Sequence, residues 1–584
     1  MGNIWRYLFG TTENTENNGN RIYQPRINEK IIGIDFGSSG LCYAYGYLDE
    51  KKENHCFIGH FEQQRRDQKI LNEIILDDQL SKVLAFGNDC ITFLASRSDE
   101  NLVFHHFKNI KMNLYNKVYK IKAINSGKEA DLQYIIKLIL IETKKKAIEQ
   151  LRLNYQDLNE NIRFIVTVPA IWNYKSKDIM LKASIASGLI TQNDDSSLFF
   201  ALEPEAASLY FSYENREKAW LINNKEMSFL LCDFGGGTVD IITHKKIFVD
   251  GRVYFKELYP PVGNFLGSNK INEYFMDRVI KPLIGEENLK KIKTDLYNNP
   301  SNYNDWIKFE KSIEEFKISF QNMDQIEKSC EIDCELFSDF LDTERIDNFN
   351  KNNKWKLSTN KKNSYKINFP YQIIYDFMLE IVNKALKLID PIIKKNMDIN
   401  NLILCGGASL SNIIYGIFAD YMKTISVIRG NNPEVSIGMG SVLFALDPKG
   451  VTLRKSRYTI GIKCRGTVNG EKHDNIFSII IKKGDDVYPD LMENTFYMNS
   501  SKARIELYKT ENDDVQFCDE RDENGQLKIQ KFGEYTINVG EAFDKNYREV
   551  KVRINLGGTF LSSYARYCKN NQWFDVECLL DLDN

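Results

Sequence analysis

Charge of one sign is missing from this chain. Its 77 basic residues stand against 80 acidic ones, a net charge of −3. Such a balance gives no basic field for a polyanion, so no nucleic-acid partner is expected. Long apolar runs are missing too: none approaches the roughly 20 residues of a membrane helix, so no membrane span is expected. The amino end, MGNIWRYLFGTTENTENNGN, has no secretory apolar core. Arg6 stands where a myristoylation signal wants Ser or Thr. Residues 1–29 read as a polar, loose tail whose Trp5, Tyr7, Leu8 and Phe9 could dock on the body. The six histidines show no ligand spacing, and adjacent His105 and His106 point apart, which suits structural roles. The 11 cysteines are scattered and odd in number, the pattern of buried thiols in a cytoplasmic or nuclear compartment. Cys330 and Cys334 have no second pair to complete a zinc site. Gly127-Lys128 is followed by Glu129, so it is no Walker A loop. Asp-Phe-Gly occurs at 35–37 and 233–235, but no His-Arg-Asp loop accompanies it, which excludes a protein kinase.

What is present is a soluble globular composition, 43% hydrophobic and 27% charged, in 584 residues: enough for two or three domains with a large core. The most informative stretch is LLCDFGGGTVDIIT, Leu230 to Thr243. An apolar strand ends in Asp233, then Gly235, Gly236, Gly237, Thr238 and a second acid, Asp240. Glycines after a buried strand let backbone N–H groups approach an anion. An acid beside such a turn can hold Mg²⁺ through waters. A second loop has the same grammar: KIIGIDFGSSGLCYAYGY, Lys30 to Tyr47, with Asp35, Gly37, Ser38, Ser39 and Gly40. Strand, small-residue turn, strand is a hairpin whose tip can wrap a phosphate. Two such loops suggest two similar halves facing one nucleotide. A third segment, NLILCGGASLS from Asn401, places Gly406, Gly407 and Ala408 between a strand and a helix, where a flat ring or phosphate can lie.

Together these motifs resemble the actin-like ATPase superfamily and, within it, the heat shock protein 70 family. RFIVTVPAIWNYKSKDIMLKASIASGL, from Arg163 to Leu189, and ALEPEAASLY, from Ala201 to Tyr210, are similar to further segments of that family, in order. HFKNIKMNL near 106–114, GSNKINEYF at 267–275, SIEEFKISF at 312–320 and GMGSVLFALDPKGVTLRKSRYTIGI at 438–462 resemble one divergent branch of it. The resemblance implies an α/β, two-lobed actin-like ATPase (a ribonuclease H-like duplicated fold) followed by a C-terminal all-β, sandwich-like domain. It implies ATP/ADP and Mg²⁺ as cofactors, with Asp35, Asp233 and Asp240 holding the metal mainly through water. Glu203 would orient the metal shell or the attacking water; alternatively it is a helix-start acid beside Pro204. Lys111, with Lys108 as rival register, would reach the γ-phosphate; Gly37, Ser38, Ser39, Gly235, Gly236, Gly237 and Thr238 would cradle phosphate oxygens. Glu314 and Lys317 would contact the adenosine or form an exposed salt bridge. Gly267 and Ser268 would approach the sugar or a phosphate.

The expected organisation is a first lobe over 30–225 and a second over 226–447, with a mostly helical insert at about 268–395. Asn348 to Asn363 reads as a surface loop. From 451 onward short alternating runs suggest an all-β module, which the resemblance makes a substrate domain for a protein or peptide client. Phe477 and Ile479, or Leu556, Phe560 and Tyr564, could line an apolar groove there or simply form core. A nucleotide-exchange factor or co-chaperone is a further implied partner. The chain departs from the family at Leu410 and Ile318, where basic residues contacting the adenosine are expected, and at Gly40, which replaces an aromatic. The junction Asp447 to Arg457 is basic rather than acidic and leucine-rich; no helical lid and no acidic Glu-Glu-Val-Asp tail follow. Two functions stay open: a chaperone-type ATPase, or a nucleotide-sensing adaptor with little turnover. A sugar kinase or a filament former on the same core fits less well, because of the β-module.

Overall fold

A computed structural model describes residues 26–61, 68–97, 102–155, 162–190, 200–216, 226–249, 252–360, 363–395, 398–447, 451–487, 492–512, 514–555 and 561–582. Most of the expected N-terminal tail, Leu556, Phe560 and the Tyr564 side chain lie outside these residues.

Two mixed sheets carry roughly the first three-quarters of the chain. In the first, the hairpin Lys30–Phe36 and Gly40–Leu48 pairs outward with Asn54–Ile58, antiparallel throughout. Inward, Lys30–Phe36 runs parallel to Ile162–Val168, which runs parallel to Phe200–Leu202. In the second, the hairpin Glu226–Phe234 and Val239–Val249 continues to Arg252–Asn264, and Glu226–Phe234 runs parallel to Asn401–Cys405, itself parallel to Ser426–Arg429. The two sheets therefore share one strand order and one pattern of directions. Both leading strands are apolar on both faces: Ile31, Ile32, Ile34, Phe36, Leu230, Leu231, Cys232 and Phe234 are all buried. Layers cover a mixed sheet on both sides, which is why these strands read as continuous rather than alternating runs.

Two helices join the halves. Glu203–Glu214 and Ser436–Leu446 cross with backbones in contact: a side chain at Gly440 would stand 1.8 Å from the Ala206 carbonyl oxygen. Every residue of Ser436–Leu446 is buried, and the helix packs on the first sheet although it follows the second in sequence. Helix Leu132–Asn154, capped by the Asp131 carboxylate on the Tyr134 N–H, buries Leu132, Ile135, Ile136, Ile139 and Leu140, the face that its periodicity predicts. Tyr371–Lys395 does the same with Ile374, Phe377, Met378, Ile381 and Ala385.

Three regions add to the sequence expectation or differ from it. The insert is not only helical: Ser329–Asp333, Ser358–Asn360 and Asn363–Pro370 form a three-stranded sheet. The expected loop from Asn348 instead ends helix Thr343–Asn352 and begins a strand, because Phe349, Trp355 and Leu357 are buried among the polar residues. Val451–Lys455, at the expected start of the β-module, runs parallel to Arg252–Asn264 and extends the second sheet.

The β-module proper starts at Thr459. Its eight strands form one antiparallel path, Glu471–Ile481, Thr459–Val468, Lys502–Thr510, Gln530–Asn538, Gln572–Leu582, Ser562–Lys569, Glu549–Asn555 and Met492–Tyr497. One core gathers inward residues from both ends of this path, such as Ile460 and Leu507 with Val550 and Tyr567, so the sheet curls on itself. Phe477 packs in a side cluster with Val515, Cys518 and Ile529, and so belongs to the core rather than to a groove; Ile479 is exposed.

Candidate functional site

The two hairpin tips meet at the bottom of the cleft between the sheets. A side chain added to Gly236 would stand 2.4 Å from Ser39 Oγ, and one at Gly237 would stand 2.8 Å from Ser38 Oγ and 2.9 Å from Met112 Sδ. Only glycine fits this approach. The second tip is braced from outside: the N–H groups of Gly267, Ser268 and Asn269 donate to the carbonyls of Gly237, Gly235 and Gly236 at 3.2, 3.0 and 2.8 Å. With its carbonyls turned that way, the tip keeps its own N–H groups for the cleft. Among the described residues no hydrogen bond uses the N–H of Ser38, Ser39, Gly236 or Gly237. Asn72 pins the first tip by donating to the Gly37 carbonyl at 2.8 Å. Gly267 and Ser268 thus hold a loop, their N–H groups being used there rather than presented to a sugar or phosphate.

Beneath the tips lie four buried carboxylates, Asp35, Glu203, Asp233 and Asp240, with the buried Lys111. The strand ends deliver Asp35 and Asp233; Asp240 starts the return strand opposite Asp233; Glu203 opens the crossing helix. Lys111 donates to Glu203 Oε1 at 2.6 Å. Lys108, the rival in sequence, is instead paired with Glu73 at 3.1 Å, which also accepts from His106. Asn109, with φ 57°, starts the short helix Ile110–Tyr115 and turns Lys111 inward. Thr238 Oγ1 donates to Asp240 Oδ2 at 2.9 Å.

This cluster carries more negative than positive charge. Burial, then Asp240 and Asp35, push the Asp233 carboxyl up to about 7. Burial and Glu203 push Asp240 up to about 7, and burial raises Glu203 to about 7 against the pull of Lys111. Burial works against the charge of Lys111, but Glu203 and Asp35 hold it above the ordinary lysine value. Asp233 Oδ1 and Asp240 Oδ1 are buried without any hydrogen-bond partner. Orphaned carboxylate oxygens beside unused N–H groups fit a divalent cation next to a phosphate chain. The fit is for a cation held through water: three ligand atoms within 4.8 Å of one another occur, among the described residues, only at Asp49, Glu53 and His55 on a distant hairpin end.

Gly406 closes the floor with φ 80°; a side chain there would meet Asp233 Oδ1 at 2.4 Å. Gly407 and Ala408 follow in a 3-10 turn, with open space at Gly407. Glu314 and Lys317 bond to one another at 2.7 Å, and both bond to Asn272, at 2.5 and 3.2 Å. They form the salt bridge that their spacing allows. Leu410 and Ile318 are exposed apolar residues; Gln321 accepts from Asn412 at 3.2 Å and donates to the Ile318 carbonyl.

Sequence reasoning missed Asn72, Asn272 and Lys69. Lys69 stands near the cleft acids; burial disfavours its charge, but Asp35, Cys42 and Asp233 outweigh that and raise its pKa. No motif surrounds these residues, and their role follows only from strand pairing and helix packing.

A mixed α/β body with facing glycine tips, followed by a β-module, is the class that the folded chain defines, and in sequence the chain is similar to divergent members of the heat shock protein 70 family. It is 22% identical over 555 residues to Heat shock 70 kDa protein 12A of Homo sapiens, covering 82% of this chain and 78% of that protein. Heat shock 70 kDa protein 12B of Homo sapiens is 22% identical over 45% of this chain and 46% of its own. Chaperone protein DnaK of Stenotrophomonas maltophilia is 27% identical over 46% of this chain and 40% of its own. Residues 223–427 match a family model described as a domain of unknown function, DUF8340. No described helix is long and apolar enough to cross a membrane.

Proposed function

We propose that this protein binds and hydrolyses ATP in the cleft between two duplicated, actin-like lobes, and that lobe movement is passed to the β-module, which binds a protein or peptide client. The observation that carries this reading is the pair of glycine-and-serine tips facing across a pit of four buried carboxylates and one lysine. The common strand order of the two sheets supports the duplicated fold. The N–H groups of Ser38, Ser39, Gly236 and Gly237, with the Thr238 hydroxyl, cradle phosphate oxygens. Asp35, Asp233 and Asp240 hold Mg²⁺ through water, and that ion, when bound, supplies the charge neutralisation that phosphoryl transfer requires. Lys111 adds positive charge where negative charge develops. Glu203, whose carboxyl burial raises to about 7, orients the attacking water and, as the carboxylate, accepts its proton. Gly406, Gly407 and Ala408 let the adenosine lie against backbone, with the Glu314–Lys317 pair at its rim. Because the tips are already in contact, admitting a triphosphate requires the lobes to part, which is the hinge motion that exchange would use.

Titration calorimetry with Mg-ATP on the full chain tests the reading. Binding is expected, and absence of heat at millimolar ATP rejects it. The second reading, a nucleotide-sensing adaptor with little turnover, is favoured by the junction: Val451–Lys455 is built into the second sheet rather than left as a free linker. Suppression of client aggregation, with and without ATP, separates the two; a nucleotide-independent result favours the adaptor.

A further inference from the structure

Away from the cleft, where the first lobe, the junction strand and the β-module meet, lies a cavity of about 80 Å³. One water needs about 10–15 Å³ by this measure, so the space admits several waters or one tetrahedral oxyanion. Its walls bring together cations from three parts of the fold: Lys177 from helix Tyr174–Ala186, Arg457 from the junction and Lys509 from the β-module. None of the three has a carboxylate within ion-pair distance among the described residues. Arg457 reaches only the Ala170 carbonyl, at 3.5 Å, and Lys509 lies over the rings of Tyr458 and Phe532. Lys177 is 8% exposed. Trp172, 5% exposed, also lines the cavity, and its indole N–H has no acceptor.

The local acids do not neutralise this set. Glu205 is taken by Arg454 in a two-pronged pair at 2.6 and 2.8 Å. Glu257 accepts the Lys455 N–H at 2.7 Å, and burial, with Glu205 beside it, pushes its carboxyl up to about 8. Asp486 is engaged by Lys256 and Lys455. Three basic side chains without an ion-pair partner among the described residues, and an orphaned donor, line one small, partly open space, and that lining favours an anionic occupant.

We propose that this junction is a binding site for a small tetrahedral oxyanion of the phosphate class, which ties the β-module to the first lobe through Lys177, Arg457, Lys509 and Trp172. Bound there, the anion accepts from groups on three parts of the fold and strengthens their docking. That docking is otherwise made by the Tyr174–Phe532 ring stack at 5.3 Å and the Lys175 bond to the Leu582 carbonyl at 3.1 Å.

The test is calorimetric titration of the full, nucleotide-free chain with inorganic phosphate. Lys177→Met and Lys509→Gln are expected to weaken binding about tenfold each, the loss of one charge-assisted bond. Trp172→Phe, which keeps the ring and removes the donor, is expected to weaken it about threefold. Lys111→Met, which alters the cleft, is expected to leave it unchanged, and this control separates the site from any phosphate bound by the glycine tips. Lys509 lies on a β-module strand outside the first-lobe core, so its variant reports even if Lys177→Met fails to fold. Absence of binding at millimolar phosphate overturns the proposal, as does a loss caused by Lys111→Met, or equal binding by wild type, Lys177→Met and Lys509→Gln.

Discussion

Two buried charge clusters meet the first turn of one helix, and they have opposite signs. Glu203 points into the cleft, where carboxylates outnumber the lysine they share; Glu205, two residues on, points into the junction, where cations outnumber acids. A buried cluster of one sign costs stability unless a ligand or partner of the other sign completes it. The contrast teaches that the helix Glu203–Glu214 is a shared wall: its first turn gives Glu203 to the acidic cluster and Glu205 to the basic one.

The largest expected effect lies on the acidic side. Asp233→Asn removes an orphaned oxygen from the cleft, and Mg-dependent ATP turnover is expected to fall about 100-fold in single-turnover assays. Unchanged decay of bound ATP would detach Asp233 from the chemistry and leave the acidic cluster without an assigned role.

Next comes the crossing that holds both clusters. Gly440→Val forces a side chain into the Ala206 carbonyl, and the cost is expected to be about 1–3 kcal/mol, read as a fall in melting temperature. A variant that melts like the wild type means that the two helices part freely, and the idea of a shared wall fails.

On the basic side, burial, then Arg454 and Arg457, lower Lys177 to about 7. A lysine whose folded pKa lies below its unfolded value binds fewer protons when folded, so its contribution to stability rises with pH between about 7 and the ordinary lysine value. Below pH 7 the folded chain carries the full cost of a buried charge. In phosphate-free buffer Lys177→Met is therefore expected to melt a few degrees above wild type at neutral pH, the gap narrowing toward pH 10. Glu205 and Glu257 face the same amine, and Glu257, raised to about 8, acts in the opposite sense below that pH. A gap that stays constant with pH would show that Lys177 is already neutralised.

The smallest effect concerns affinity. Leu410 and Ile318 are exposed at positions where the family resemblance leads one to expect basic residues. Leu410→Arg is expected to tighten Mg-ATP binding by about fivefold, or about 1 kcal/mol, through stacking on the base. Unchanged affinity would place the base elsewhere.

Much of this was legible in the sequence because it is local. Asp35 to Gly40, Asp233 to Asp240 and Gly406 to Gly407 are contiguous, and each encodes its own turn. The helices Leu132–Asn154 and Tyr371–Lys395 announce their buried faces by period alone. The register of the lysine was not legible: Lys108 and Lys111 differ only in which way the turn at Asn109 sends them, and the fold gives Lys108 to Glu73. The bracing of the second tip by the Gly267 and Ser268 N–H groups was not legible either, since a glycine that admits a ligand and one that admits another backbone look alike in one dimension. The junction was read as a linker, because strand Val451–Lys455 gains its partner only through a pairing with Arg252–Asn264 far back in the chain.

By itself, then, the sequence determined the glycine tips, the acids beside them and the family resemblance, because turn geometry and strand periodicity act between near neighbours. Only the tertiary structure decided which lysine enters the cleft and that Asn272 joins Glu314 and Lys317. It alone gathered Lys177, Arg457 and Lys509 around one cavity. Burial and charge balance are sums over residues distant in the chain, and they acquire values only when the fold brings those residues together.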